Sequence, residues 1–208
     1  MTSDELLTSD ELLLLAGHGV SRRFGKRVAL EPTDVELRAG ETIALIGPNG
    51  AGKSTLVAIL AGALEPSAGT VEAHARIGWV PQRASLYRRL SARENLELFA
   101  RLEGERDPAA AAGSLLAEFE LPDDDRAAGA LSVGNRQRLN VALAFLGAPR
   151  VLLLDEPTAS LDPEQRARLW DDVLSLPGRG GAVCFVTQHD DELHRADRVL
   201  ELRDGRLV

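Results

Sequence analysis

The stretch "ETIALIGPNGAGKSTLVAILAG", residues 41–62, decides the fold class. Its centre, "GPNGAGKST" from Gly47 to Thr55 (Gly47, Pro48, Asn49, Gly50, Ala51, Gly52, Lys53, Ser54, Thr55), matches the pattern G-x-x-x-x-G-K-[ST]. The pattern follows an apolar strand and opens an apolar-periodic helix, which is the context it requires. Glycines let the backbone N–H groups turn inward, and the helix N-terminus adds partial positive charge. The stretch therefore predicts an α/β domain with a phosphate-binding loop.

Two side chains of this loop carry its predicted chemistry. Lys53 and Lys26 are the only lysines among the 24 basic residues, so a lysine in the loop is an exception in this chain. A compact ammonium suits the outer phosphates of a nucleotide better than a planar guanidinium fork would. Ser54 follows and offers a hydroxyl to Mg²⁺. The alternative is a glycine-rich turn with a purely structural purpose.

A second stretch, "RVLLLDEPTASLDP", places two acids at the end of a strand. Val151 to Leu154 form an apolar run typical of a buried parallel strand. Asp155 falls at the carboxyl end of that strand, where ligands bind in open α/β sheets. We expect Asp155 to hold Mg²⁺ and Glu156 to orient or deprotonate an attacking water. Taken alone, the pair is also typical of a helix start or an exposed loop.

The rest of the chain alternates strands with helices, which predicts a largely parallel sheet with helices packed on it. The predicted strands are "LLLLAGHGV", "VALEPTDVEL", "ETIALI", "GTVEA", "RIGWV", "RVLLLD", "GAVCFVT" and "RVLEL". The predicted helices are Lys53–Ala61, Ala92–Leu102, Pro108–Phe119, Val133–Leu146, Glu164–Leu176 and Asp190–Arg195. Residues 84–146 contain helices and turns but no convincing strand, so this part is predicted to be a helical insertion.

Composition limits the class of protein further. The net charge of −8 argues against a general nucleic-acid or anionic-membrane binder, so no nucleic-acid partner is expected. The single cysteine, Cys184, lies in an apolar strand pattern, which favours a buried thiol over a reactive one. No segment has the length of a membrane span or the pattern of a signal peptide. Residues 2–13 repeat "TSDELL", and residues 1–11 are expected to be a disordered leader.

The ordered set of motifs resembles the ATP-binding subunit of ABC transporters. Besides the two stretches above, the set contains "VPQ" at 80–82, "LSVGN" at 131–135, "SLD" at 160–162 and "TQHD" at 187–190. The resemblance runs from about Leu12 to the C-terminus. It implies a P-loop NTPase core at residues 12–82 and 147–208, a helical subdomain at about 83–146, and an antiparallel N-terminal β region. The stretch before Gln82 is shorter than is usual in the family, which puts an extra hairpin in doubt.

The resemblance assigns roles to four isolated residues. It implies that Phe24 stacks on adenine, and that Gln82 touches Mg²⁺ or water and senses a membrane partner. It implies that His189 hydrogen-bonds the γ-phosphate and the attacking water, and that Asp162 lies in a loop across a dimer interface. Without the resemblance, these residues are typical of a core aromatic, a surface amide, a helix-capping or surface histidine, and a helix N-cap. The N-cap and interface roles of Asp162 are compatible.

The segment "LSVGN" departs from the family's usual LSGGQ. In the family this helix start points at the γ-phosphate bound by the opposite subunit, which implies roles for the Ser132 hydroxyl, the Gly134 N–H and the Asn135 amide. Val133 stands where the family has glycine, and Asn135 where it has glutamine. A helical conformation is sterically ordinary for valine, so a working but slowed composite site is favoured over an inactive one.

These features predict an ATPase that uses ATP and Mg²⁺. The resemblance implies a homodimer, or a heterodimer with another ATP-binding subunit, that drives a multi-spanning permease at the cytoplasmic face of the membrane. The stretch after Gln82 resembles bacterial exporters, so export is favoured over import. A soluble ABC ATPase of translation or DNA repair stays open as an alternative, and so does a P-loop kinase or GTPase. The chain ends soon after "ELRDGRLV", and no regulatory C-terminal domain is expected.

Overall fold

The computed structural model describes residues 12–83 and 85–208, so the predicted leader at 1–11 lies outside the described residues. The strands are β1 (Leu13–Phe24), β2 (Arg27–Arg38), β3 (Thr42–Ile46), β4 (Ala68–Ala73), β5 (Ile77–Val80), β6 (Val151–Asp155), β7 (Ala182–Val186), β8 (Arg198–Arg203) and β9 (Arg206–Leu207). The α-helices are α1 (Lys53–Leu60), α2 (Ala92–Leu102), α3 (Pro108–Glu118), α4 (Val133–Ala144) and α5 (Pro163–Leu174).

Two sheets form the framework. Strands β2, β1 and β4 form an antiparallel sheet in that order. The larger sheet has the order β5-β6-β7-β3-β8-β9, and all its neighbours pair in parallel except β8 with β9. The predicted mixed, largely parallel α/β fold with an antiparallel N-terminal region is therefore confirmed.

The core has two halves, one on each face of the larger sheet. Strand β6 is buried along its whole length, and successive side chains point to opposite faces. Leu152 and Leu154 pack with the helices α2 to α5, whereas Val151 and Leu153 pack with α1 and the antiparallel sheet. This explains why the sequence of β6 is an unbroken apolar run rather than an alternating one.

Side-chain caps start the helices that follow β5. Ser91 and Glu94 form a capping box at α2, with Ser91 Oγ accepting from the Glu94 N–H and Glu94 Oε2 from the Ser91 N–H. Asp107 caps α3 ahead of Pro108 at its first position. Ser132 caps α4. Residues 92–144 thus contain three α-helices and no strand in the described chain, as expected.

Several predicted boundaries are wrong. Helix α4 was predicted to reach Leu146 but ends at Ala144, because the N–H groups of Phe145 and Leu146 donate three residues back and tighten the last turn. The segment Asp190–Arg195 is a 3₁₀ helix instead of an α-helix. Helix α5 starts one residue earlier than predicted, at Pro163.

The hairpin β8–β9 was not predicted. Its turn residues have positive φ angles, 47° at Asp204 and 79° at Gly205. An Asp-Gly pair between strands is a strong short-range hairpin signal, and it was present in "LRDGRL". The short second strand, only two residues long, concealed it.

The buried cysteine behaves as its sequence context predicts. Cys184 is 2% exposed, and burial raises the pKa of its thiol to about 12. The thiolate is the reactive form of cysteine, so the alternative of a reactive thiol is wrong. Within residues 12–83 and 85–208, no helix combines the length and the apolar character needed to cross a membrane.

Candidate functional site

The loop between β3 and α1 forms the floor of the site. Gly47, Gly50 and Gly52 have φ angles of 139°, 81° and 108°, and Gly52 begins α1 without a side-chain cap. Among the described residues, none accepts a hydrogen bond from the backbone N–H groups of Lys53, Ser54 or Thr55. Uncapped N–H groups at a helix N-terminus form an anion site. The predicted phosphate loop therefore has the geometry that its sequence requires.

Lys53 is held inside this loop. Its side chain is buried, with the residue 5% exposed, and Nζ donates to Gly47 O at 2.7 Å and to Pro48 O at 3.1 Å. An ammonium has three donors and no acceptor, so these two carbonyls leave one N–H direction for an anion. The lysine thus both closes the loop and brings a positive charge to it.

Two of the glycines are fixed by close backbone contacts. A Cβ on Gly47 would lie 2.0 Å from Leu202 O, and a Cβ on Gly52 would lie 2.5 Å from Ala29 O. Both distances are far inside van der Waals contact, and backbone oxygens cannot rotate away. The loop is therefore wedged between β2 and β8, which fixes its position over the sheet.

We expect Gly47→Ala to lower the free energy of unfolding by about 3 kcal/mol, because backbone strain and overpacking each cost on the order of 1–3 kcal/mol. Gly40→Ala is the matched control: Gly40 also has a positive φ, 83°, but an added Cβ would meet nothing within 4 Å. It should cost only about 1 kcal/mol. Urea denaturation measures both, and equal losses would contradict the steric argument.

Asp155 ends β6 and lies beside the loop. It is 5% exposed, and burial raises the pKa of its carboxyl, while Ser54 and Lys53 act in the opposite direction. Its Oδ1 is buried without a hydrogen-bond partner among the described residues. A buried carboxylate oxygen is normally paired or bound to a metal. Asp155 and Ser54 therefore fit an Mg²⁺ ion, which takes few protein ligands and completes its shell with water and phosphate oxygens.

Glu156 differs from Asp155 in that both of its carboxylate oxygens have hydrogen-bond partners. Its backbone has a φ of 50°, and its N–H donates to Val186 O at 3.1 Å. Its carboxylate is held by two amides: Gln82 Nε2 donates to Oε2 at 3.2 Å, and Gln188 Nε2 donates to Oε1. The structure therefore brings together Gln82 and Glu156, which are 74 residues apart. Gln188 was not singled out in the sequence, since an exposed glutamine carries no signal by itself.

The loop and Glu156 face one open cleft of about 420 Å³. Phe24 lies at its edge with 49% of its surface exposed, so it is not a core aromatic, and the Arg22 guanidinium lies 4.8 Å from its ring centroid. Arg27 also lines this cleft: its Nη2 would be 3.6 Å from a Cβ on Gly50. Arg27 has no carboxylate within ion-pair distance among the described residues. Arg27 carries no signal in the sequence, because arginine is common in this chain.

His189 lies on the other side of the loop. A hollow of about 310 Å³ is lined by Gly47, Pro48, Asn49 and His189, among others. A second hollow, of about 200 Å³, is lined by both Glu156 and His189. His189 is half-buried, and its backbone N–H donates to Thr187 Oγ1 at 3.0 Å. Glu156 and His189 therefore line the same hollow, although they follow different strands, β6 and β7.

The segment Leu131–Asn135 does not line the cleft of its own chain. Ser132 Oγ accepts from the Asn135 N–H at 3.1 Å, and Val133 is 47% exposed in the first turn of α4. Gly134 is buried, and a Cβ on it would lie 2.7 Å from the Gln165 side chain. The end of the flexible Gln165 side chain therefore covers Gly134, a contact that the sequence gives no sign of.

Asp162 is exposed and caps α5, with Oδ1 accepting from the Gln165 N–H at 2.9 Å. Its N-cap reading is confirmed by this contact. Gln165 thus connects two predicted interface segments, since its backbone is capped by Asp162 and its side chain covers Gly134.

The fold and the loop define a P-loop nucleotide-binding domain. The family model described as ABC transporter matches residues 30–159, so the chain belongs to the ABC transporter family. A solved dimeric ATP-binding cassette in a post-hydrolysis state, bound to ADP and Pi, matches with a TM-score of 0.85 and 25% identity. That match covers 93% of this chain and 96% of the other. The fold is thus that of the family's ATP-binding cassettes.

Three curated relatives match nearly the whole chain. The daunorubicin resistance ATP-binding protein DrrA3 of Streptomyces coeruleorubidus is 41% identical, covering 91% of this chain and 65% of the relative. The Nod factor export ATP-binding protein I of Burkholderia lata is 37% identical, covering 91% and 67%. The probable multidrug ABC transporter ATP-binding protein YbhF of Escherichia coli is 36% identical, covering 92% and 36%. The chain thus spans about two thirds or less of their lengths.

Proposed function

We propose that this chain binds ATP with Mg²⁺ and hydrolyses it as the ATP-binding subunit of an ABC exporter. The observation that carries the proposal is the uncapped loop at α1, with the buried Lys53 on one side and the unpaired Asp155 Oδ1 on the other. Named drug-resistance and export proteins among the relatives support export over import.

The residues divide the binding work between them. The N–H groups of Lys53, Ser54 and Thr55 and the Lys53 ammonium bind the phosphates, and the exposed Phe24 ring stacks on adenine. Asp155, Ser54 and Gln82 hold Mg²⁺. The ion, when bound, supplies positive charge that offsets the charge developing on the phosphoryl oxygens.

The hydrolytic work falls to Glu156 and His189. Glu156 orients the attacking water and accepts its proton, and the amides of Gln82 and Gln188 fix the carboxylate at the cleft. His189 reaches the same hollow and donates a hydrogen bond toward the γ-phosphate. Because two hydrogen-bonded amides hold Glu156, its geometry is preorganised before nucleotide enters.

One chain leaves the γ-phosphate side of its cleft open, because Ser132, Gly134 and Asn135 lie elsewhere. We therefore extend the proposal to a dimer in which each chain presents Ser132–Asn135 and Asp162 to its partner's nucleotide. The dimeric cassette among the structural matches supports this arrangement. The helical part, residues 83–146, with Gln82 at its start, would transmit the closure to a separate membrane permease at the cytoplasmic face of the membrane.

The proposal is tested by nucleotide-dependent dimerisation. With Mg²⁺ and ATP, a Glu156→Gln chain should elute as a dimer in size-exclusion chromatography, whereas GTP or no nucleotide should leave a monomer. A stable monomer that prefers GTP would overturn the ATPase assignment. Co-purification from membranes with a multi-spanning protein tests the transport part separately, and recovery only with ribosomes or DNA would overturn it.

Val133 and Asn135, which differ from the family's usual glycine and glutamine, give a further prediction. The double variant Val133→Gly, Asn135→Gln should raise ATP turnover of the dimer by roughly tenfold. That gain is smaller than the ~100-fold worth of a complete transition-state donor, because Ser132 and Gly134 are already present. Steady-state phosphate release measures the rate, and each single variant serves as the control for the other. Equal rates in all four proteins would mean that Ser132, Gly134 and the helix N-terminus suffice.

A further inference from the structure

A buried carboxylate lies next to the site without touching the cleft. Glu192, in the 3₁₀ segment after β7, is 2% exposed. Its Oε1 accepts from Thr158 Oγ1 at 2.7 Å and from Trp170 Nε1 at 3.0 Å, and its Oε2 accepts from Thr187 Oγ1. Carboxyl groups are rarely so buried unless hydrogen bonds satisfy their oxygens. Here three neutral donors do so.

The three donors come from three different parts of the site. Thr158 lies two residues after Glu156, and Thr187 lies two residues before His189. Thr187 Oγ1 also accepts from the His189 backbone N–H at 3.0 Å, so the chain of hydrogen bonds runs from Glu192 to His189. Trp170 belongs to α5, the helix that Asp162 caps. One side chain therefore connects the segments after β6 and β7 and the helix α5.

Glu192 does more than fill space in the core, because its neighbours need a hydrogen-bond acceptor. Trp170 packs against Phe185 with ring centroids 4.6 Å apart and ring planes tilted by 60°, within the apolar core. An apolar side chain at position 192 would suit this core but would leave two hydroxyls and an indole N–H without their acceptor. The carboxylate is the group that satisfies all three at once, because it has two oxygens and four lone-pair directions.

We propose that Glu192 is a positioning residue for ATP hydrolysis. By holding Thr158 and Thr187 together, it sets the distance between the loop of Glu156 and the loop of His189. It touches neither nucleotide nor water itself. The proposal rests on the ATPase function proposed above, and it predicts that breaking the network lowers kcat and leaves KM for ATP unchanged, since the nucleotide-binding groups stay in place.

The test compares variants of matched shape. Thr187→Val removes the hydroxyl that links Glu192 to His189 and keeps the β-branched shape; kcat should fall by about tenfold to 100-fold, the range expected for a misplacement of up to about 1 Å. Glu192→Leu should do the same. Glu192→Gln should keep most of the wild-type rate, because its oxygen can accept from Thr158 and Trp170 while its NH₂ donates to Thr187. Asp191→Asn, one residue away on an exposed side chain, is the control and should hydrolyse ATP at the wild-type rate.

A second readout does not depend on turnover. The chain has four histidines, so the His189 imidazole resonance can be assigned in the NMR spectrum with a His189→Gln variant. Without nucleotide, Thr187→Val should move this resonance and Asp191→Asn should not. Thermal melting shows whether each variant is folded. If Glu192→Leu does not fold, Thr187→Val still tests the proposal.

The outcomes separate the two proposals. If folded Thr187→Val and Glu192→Leu proteins hydrolyse ATP at the wild-type rate, or if their loss lies in KM, the positioning role is wrong although the ATPase function stands. If wild-type protein does not hydrolyse ATP at all, the proposed function fails. In that case the His189 resonance still decides whether Glu192 sets the position of this loop.

Discussion

A Glu156→Gln chain is expected to keep ATP bound while its hydrolysis falls by at least about 100-fold, the usual worth of a general base. The amide cannot accept the proton of the attacking water, but it fills the same space. Its contacts survive as well, because the Gln82 and Gln188 amides can rotate to pair with either end of the new side chain. Phosphate release gives the rate, and retention of labelled ATP on the dimer gives the binding.

The same substitution at Glu164 is the control for this prediction. Glu164 is 77% exposed and pairs with Arg168 on the surface of α5, so Glu164→Gln should hydrolyse ATP normally. If Glu156→Gln hydrolyses ATP at the wild-type rate, the general base lies elsewhere. If it loses ATP binding instead, Glu156 acts on the nucleotide and not on water.

Lys53→Ala is expected to weaken ATP binding by about 100-fold or more, because a charged hydrogen bond is worth roughly 1.5–3 kcal/mol and the loop also loses the donor to two of its own carbonyls. Gly47 O and Pro48 O would both lose the Nζ partner that now closes the loop. The dissociation constant can be measured by fluorescent-nucleotide titration.

Lys26→Ala provides the matched control, since Lys26 is the other lysine of the chain and lies exposed in the β1–β2 turn. It should bind ATP as wild type does. Lys53→Arg tests the geometry, because a planar fork cannot occupy the space of a compact ammonium, and it should bind weakly too. Tight binding by Lys53→Ala would contradict the proposed role of the loop.

Helix starts were more predictable than helix ends. Ser91, Asp107 and Ser132 cap their helices through contacts with residues three positions away, so a short stretch of sequence contains all the partners. Helix ends depend on how the last carbonyls find donors in the surrounding structure. Helix α4 stops at Ala144 because the N–H groups of Phe145 and Leu146 donate three residues back, although the apolar pattern continues to Leu146.

In the site, too, features formed by neighbouring residues were predictable and features formed by distant residues were not. The phosphate loop could be predicted because a strand, a loop and a helix adjacent in sequence form it. Arg27, Gln188 and Glu192 could not, because their importance comes from neighbours that are distant in the chain or from exposed positions without a distinctive pattern. Gly134 was singled out, but its contact with Gln165, 31 residues away, was not.

The sequence by itself determined the fold class, the phosphate loop and the positions of Asp155 and Glu156, because local backbone preferences and apolar periodicity decide these features within short windows. The tertiary structure alone decided that Gln82 and Gln188 meet on Glu156, and that Glu192 joins the loops of Glu156 and His189. Parallel strands bring together the segments that follow them at one edge of a sheet. Which side chains then touch is decided by strand order and packing, and a linear pattern does not contain either.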